Sequence, residues 1–364
     1  MAQFDLVFEG GGAKGMVFAG ALAVLAERGH THRRLLGTSA GAITATFIAA
    51  GYSPDEMVEV MSETGPDGRP RFASFMDTPE EFAPETIEES LLFDVFREID
   101  VPFVPGWLEN KVDHKIFNLL NENPRFRRVF SFIERGGLYK GDNFLNWLRE
   151  KLGAKNPAFA TATLREFFDL TQTDLSVVSS DTTAQEMRVL NHRTAPDIPV
   201  ANAVRMTMSI PFVWQEVHWQ AGWGSYLGES LAGNIFVDGG LLSNFPLELV
   251  TDDTPEVTQV MGPRPAGDAG IIGLLIDETV DVPHAPPVPE ATGPLADSRV
   301  LGRIRRLVDT CTTAHDKRIM DAHASLVCHL PAKGYGTTEF DMTPERRDAL
   351  VAAGRSAMLQ FLDR

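Results

Sequence analysis

Two strand–glycine loop–helix units fall within the first fifty residues, and that repetition narrows the folds open to the chain. Phe4-Asp5-Leu6-Val7-Phe8 is a short, largely apolar run that ends at Gly10-Gly11-Gly12, as a buried strand entering a tight loop does. Val17, Ala21, Leu22 and Leu25 then share one helical face before Gly29, a residue suited to ending that helix. Arg34-Leu35-Leu36 leads into Gly37-Thr38-Ser39-Ala40-Gly41, and the alanine-rich stretch 42–50 reads as a second helix. Strand, helix, strand, helix in this order predicts an α/β fold with a parallel, helix-covered sheet. Ligands are expected at the carboxyl ends of its strands.

Further strands are expected at Leu175–Val178, Ile235–Val237 and Ile271–Ile276. No repeat or linker divides the chain, so one domain over residues 1–364 is expected. It would carry a helical, aromatic-rich cap insertion at about 60–137 and a helical region at about 300–364. Leu91, Leu92, Val95, Phe96 and Ile99 recur at helical spacing in the insertion, followed by Phe103, Trp107, Phe117, Phe126, Phe130 and Phe132. This surface either packs on the core or lines an acyl channel and touches a bilayer. Trp214, Trp219, Trp223 and Tyr226 form a second aromatic group, of a kind that suits a membrane interface as well as a buried loop. Arg303, Arg305, Arg306, Lys317 and Arg318 give the late helix a basic face.

Charge and cysteine usage remove several functions. A formal net charge of −17 over 364 residues argues against a nucleic-acid partner, because a phosphate polyanion would be repelled. Two cysteines, Cys311 and Cys328, make no disulfide framework and sit in no metal-ligand cluster. There is no leader-like start and no apolar run of membrane-spanning length, so a cytoplasmic protein with peripheral membrane contact is expected.

Chemistry concentrates in three stretches. Ser39 stands between strand and helix, with Gly37 and Gly41 two residues to either side, an arrangement that permits a strained turn exposing the hydroxyl. The same serine in isolation would pass for a helix cap. Gly10-Gly11-Gly12-Ala13-Lys14-Gly15 presents adjacent amides at a helix start, suited to a developing oxyanion. It also satisfies the glycine pattern of a dinucleotide loop. The second strand, however, ends in Leu35-Leu36-Gly37-Thr38-Ser39 where an acidic ribose ligand should stand. A triphosphate loop is excluded because Gly15 follows Lys14 in place of Ser or Thr. Lys14 is read as structural or as a neutraliser of lipid phosphate. Asp238, before Gly239-Gly240, is a turn aspartate or the proton acceptor that a serine nucleophile needs. None of the nine histidines sits in a glycine-framed loop late in the chain, although His30 and His32 lie near Ser39 in sequence.

Taken together, these stretches resemble the patatin-like phospholipases, which combine a glycine-rich oxyanion loop, a G-x-S-x-G nucleophile motif and a distal D-G-G or D-G-A motif in this order. The stretch 203–212, with Arg205 and Ser209-Ile210-Pro211-Phe212, resembles a family segment that supports the site. Asn244-Phe245-Pro246 continues the aspartate motif in the family manner, and Leu138-Tyr139-Lys140-Gly141-Asp142 is similar to bacterial members. The resemblance implies a three-layer α/β/α fold with a mainly parallel central sheet and a Ser39–Asp238 dyad. It implies an oxyanion hole from Gly10, Gly11, Gly12 and Ala13, with Gly37 and Gly41 framing the elbow and Lys14, Gly15, Gly239 and Gly240 in support. The implied activity is hydrolysis of lipid carboxylic esters, of phospholipase A or lysophospholipase type, without metal or organic cofactor. A lipid acyltransferase and a non-catalytic membrane-binding protein are the alternatives.

Overall fold

A computed structural model describes residues 1–66, 68–97, 119–264, 267, 269–287, 320–337 and 339–364. Its central sheet has eight strands among these residues: β1 (Gln3–Phe8), β2 (Thr31–Thr38), β4 (Asp174–Asp181), β5 (Glu186–Asn191), β7 (Val217–His218), β10 (Ile235–Asp238), β11 (Gly270–Asp281) and β12 (Val327–Lys333). The short strands β3 (Gly137–Tyr139) and β6 (Phe212–Trp214) pair with each other, as do β8 (Ser225–Tyr226) and β9 (Glu229–Ser230). The sheet order is β12-β11-β1-β2-β4-β10-β7, with β5 on β4; the run from β12 to β4 is parallel, while β10, β7 and β5 join antiparallel.

Alternation along the strands divides the core into two layers. Leu6, Phe8, Leu35, Val177 and Leu274 point into a large cluster beneath α1 (Val17–Glu27), α2 (Ala40–Ala49) and the helix Pro344–Leu362. Val7, Leu36, Val178 and Leu275 face a smaller cluster closed by Phe245, Leu247, Leu249 and Met261. The expected α/β/α arrangement with a mostly parallel sheet is therefore present.

The C-terminal region departs from the all-helical expectation. Val327–Lys333 adds a parallel edge strand to β11, and Pro331 within it disguises a strand that only a sheet edge tolerates. The late basic helix expected to carry Arg303, Arg305, Arg306, Lys317 and Arg318 lies outside the described residues, as do Ile99, Phe103, Trp107 and Phe117 of the insertion. In the described part of the insertion, Phe130 packs with Ile87 and Phe93 in a separate small cluster. Among the described residues no helix is long and apolar enough to cross a membrane.

The helix Pro344–Leu362 crosses α1 at two glycines. A Cβ on Gly354 would lie 2.1 Å from the Val17 carbonyl oxygen, and one on Gly20 would lie 1.9 Å from that of Val351. Helix propensity alone would make Gly354→Ala stabilising by about 1 kcal/mol. Contact with rigid backbone dominates instead, and a net loss of about 1–3 kcal/mol is expected, read as a lower urea midpoint at unchanged slope. A raised midpoint would show that the two helices separate readily.

Candidate active site

Three loops meet at the carboxyl end of the parallel strands. The alignment that creates the site lies on β4: its residue Val178 pairs with Thr38 of β2, and the next residue, Ser179, pairs with Asp238 of β10. Because β5 occupies the other edge of β4, β2 and the antiparallel β10 run toward each other along one edge. Ser39 and Asp238 are thereby brought face to face from nearly 200 residues apart in the chain.

Ser39 adopts φ 51° and ψ −122°, a conformation that costs a non-glycine residue about 1–3 kcal/mol. Close packing holds it there. A Cβ on Gly41 would fall 2.4 Å from the Phe8 carbonyl oxygen, and one on Gly37 would fall 2.4 Å from the Gly41 carbonyl carbon. The Ser39 N–H donates to Thr207 Oγ1 at 2.8 Å, and the Thr207 hydroxyl in turn donates to the Val178 carbonyl. The Ser39 hydroxyl lies close enough to the Asp238 carboxylate to pull its titration down.

Asp238 is buried, and its backbone N–H donates to the Ser209 carbonyl at 2.9 Å. Its Oδ1 accepts the Gly240 N–H at 2.8 Å. Burial pushes the carboxyl up to about 7, against the hydrogen bonds from Ser39 and Gly240, which pull it down. Gly239 lies so close to β4 that a Cβ would stand 2.3 Å from the Val178 carbonyl oxygen. The supporting Arg205 is buried as well: one Nη donates to Ser209 Oγ, and the other to the Lys140 carbonyl at 2.6 Å and the Gln215 carbonyl at 3.2 Å. Burial lowers its guanidinium to about 10.

The glycine loop lies beside the serine, since a Cβ on Gly10 would approach Ser39 Cβ to 3.1 Å and one on Gly15 would approach Ala40 Cβ to 2.8 Å. Two of the four expected oxyanion amides are engaged elsewhere. Gly10 N–H donates to the Asn244 carbonyl at 3.0 Å, and Ala13 N–H donates to the Thr337 carbonyl at 2.9 Å. Gly11 and Gly12 precede the first intrahelical bond of the 3-10 turn Gly12–Met16, and their amides donate to no acceptor among the described residues. Lys14 is buried and ion-paired with Glu278, which favours its structural role over capture of a lipid phosphate.

A narrow apolar pocket of about 60 Å³ opens on these groups, lined by Gly12, Ser39, Ile43, Met61, Phe72, Phe75, Met208, Ile210, Trp214 and Phe340 among others. None of the described histidines lines it. His32 sits at the opposite end of β2, roughly 23 Å from Ser39 at about 3.3 Å per residue. Among the described residues no group of three His, Cys, Asp or Glu side chains is placed to hold a metal ion.

Several contributors escaped sequence reasoning. Thr207, Thr337, Phe72, Phe75 and Phe340 carry no local signature, and Glu9 ties the loops together by accepting from Asn244 Nδ2 at 3.1 Å and from the Ile276 N–H at 2.6 Å. Three members of the second aromatic group are buried in the fold, and Trp223 is half-buried. Trp219 and Tyr226 are 2 % and 4 % exposed, because the loop folds back on β10 and buries Trp219 against Phe236, with ring centroids 5.5 Å apart. Trp214 is buried in the pocket wall, donating from Nε1 to the Phe75 carbonyl at 2.9 Å.

A family model described as patatin-like phospholipase matches residues 6–251. The chain is similar to uncharacterized protein YqhO of Bacillus subtilis (strain 168), at 29% identity over 98% of this chain and 97% of that protein. It is similar also to a probable lipid hydrolase of invertebrate iridescent virus 6, at 21% identity over 67% of this chain and 62% of that one. Among solved structures, VipD from Legionella pneumophila aligns with a TM-score of 0.46 at 18% identity, covering 100% of this chain and 67% of VipD. The type III effector ExoU of Pseudomonas aeruginosa aligns with a TM-score of 0.43 at 15% identity, covering 100% of this chain and 53% of ExoU.

Proposed function

The chain belongs to the patatin-like phospholipase family, and from that premise we propose that it hydrolyses lipid carboxylic esters through an acyl-enzyme on Ser39. The observation that carries this reading is the convergence of Ser39, in the wall of an apolar pocket, with the buried Asp238 across adjacent positions of β4. A carboxylate held near 7 is matched to accepting a hydroxyl proton at neutral pH. As Asp238 takes that proton, Ser39 Oγ attacks the ester carbonyl carbon and the carbonyl electrons move onto oxygen. The amides of Gly11 and Gly12 receive the oxyanion, while Gly10 and Ala13, tied to Asn244 and Thr337, hold the loop in shape. Collapse expels the alcohol, which recovers the proton from Asp238. Water, activated by the same carboxylate, then releases the fatty acid. The acyl chain occupies the pocket between Ile43, Phe72, Phe75 and Trp214, which leaves the head group toward solvent.

The test is mass spectrometry of products from phospholipid and lysophospholipid vesicles, with wild type and Ser39→Ala side by side. Free fatty acid formed by wild type alone supports hydrolysis. An acyl group recovered on an added lipid alcohol instead of water would make the protein an acyltransferase, and equal products from both proteins would remove Ser39 from the chemistry.

A further inference from the structure

The pocket has a wall that lies outside the residues matched by the family model. After β12 the chain turns back across the glycine loop. The Thr337 carbonyl accepts the Ala13 N–H at 2.9 Å, and Phe340 enters the pocket lining. Phe340 stands edge-on to Trp214 with ring centroids 5.6 Å apart, so two aromatic rings from distant parts of the chain close one side of the cavity that contains Ser39.

This wall is fastened from behind by Arg346, which is 1% exposed near the start of the helix Pro344–Leu362. Arg346 donates to both carboxylate oxygens of Glu339, at 2.6 and 3.1 Å, and to the carbonyls of Gly334 at 2.8 Å and Pro286 at 3.0 Å. Its guanidinium also lies 4.1 Å from the centre of the Tyr335 ring. Glu339 Oε2 accepts the Gly336 N–H at 3.0 Å, so the ion pair locks the turn that carries both Thr337 and Phe340. The helix bearing Arg346 is itself fixed on α1 through Gly20 and Gly354.

We propose that Phe340 sets the acyl-chain length the pocket accepts, and that Arg346 is its positioning residue through Glu339. This rests on the reading of Ser39 as nucleophile and of the pocket as the acyl site. A phenyl ring in the wall of a narrow cavity excludes methylene groups, and each methylene admitted or refused in an apolar pocket changes kcat/KM by about tenfold or more.

The experiment measures kcat/KM for soluble p-nitrophenyl esters of increasing acyl length. Phe340→Ala is expected to move the optimum to longer chains, raising the long-to-short ratio by about tenfold or more. Phe340→Trp is expected to move it to shorter ones, so either variant alone tests the assignment. The double variant Arg346→Met with Glu339→Gln removes both partners and leaves no buried charge unpaired. It should broaden the length profile in the direction of Phe340→Ala, with circular dichroism establishing that the variant is folded. Ser39→Ala separates the two layers of the argument: if it still turns over the series, the nucleophile reading fails. If it is inactive and both Phe340 variants keep the wild-type profile, the specificity assignment alone is overturned. A double variant with the wild-type profile would remove Arg346 from the positioning role.

Discussion

Asp238→Asn is expected to slow acyl-enzyme formation by about 10²–10⁴-fold, the range contributed by a positioned general base, and Ser39→Ala to abolish it. Asparagine preserves the shape of the side chain, and its Oδ1 still accepts the Gly240 N–H that holds the Asp238 loop. What it lacks is the capacity to take the Ser39 proton. The carboxyl of Asp238 is raised to about 7 by burial, so wild-type kcat/KM should climb with pH up to about 7 and level off above it. Residual Asp238→Asn activity should lack that limb. Stability runs the other way. A carboxyl whose folded value lies above its unfolded one contributes its full stabilisation below about 4 and loses it as pH rises through about 7. Urea midpoints of wild type should therefore fall relative to Asp238→Asn across that window. Single replacement of each histidine by Gln should leave the ester-hydrolysis rate within a few-fold of wild type. An active Asp238→Asn enzyme together with an essential histidine would replace the dyad by a Ser-His-acid mechanism.

The parts of this site that can be read along the chain are those where backbone meets backbone. Gly37 and Gly41 are dictated by the approach of β2 to α2 and of α2 to Phe8, distances that no Cβ survives, and such glycines leave a mark in any sequence. The strands β1, β2, β4 and β11 are legible for a similar reason, since burial on both faces of a parallel sheet demands apolar runs, and the antiparallel β10 is legible from its short run Ile235-Phe236-Val237. What the chain does not announce is pairing across distance. Thr207 accepts the Ser39 N–H across 168 residues, and a buried threonine in a helix looks like any other. Trp219 and Trp223 read equally as interface or interior, because an aromatic ring signals apolar contact without naming its partner. Only the placement of their loop against β10 decides that Trp219 is interior. The wall formed by Phe340 depends on an edge strand hidden by Pro331 and on an arginine whose partners lie up to 60 residues away.

The glycine loop gives the sharpest separation of backbone from side-chain effects, because Gly12 meets two independent demands at once. Its φ of 56° belongs to the left-handed region, which costs other residues about 1 kcal/mol or more, and a Cβ there would stand 2.1 Å from the Thr337 carbonyl oxygen. Gly12→Ala already places that atom, and Gly12→Val adds two methyl groups against the same wall. The loop can relieve the clash only by turning its amides or by lifting the segment that carries Thr337 and Phe340. Under the proposed assignment either movement takes an oxyanion donor out of position, and loss of one such donor costs about 10²–10³-fold in kcat. Gly12→Val is therefore expected to lose at least that much turnover of a short soluble ester, with Gly12→Ala intermediate. Binding should suffer less, because the apolar walls at Ile43, Phe72 and Trp214 are untouched. The comparison requires KM or an inhibitor Kd beside kcat, and circular dichroism to establish that each variant is folded. A folded Gly12→Val enzyme with wild-type kcat would show that the oxyanion is received elsewhere.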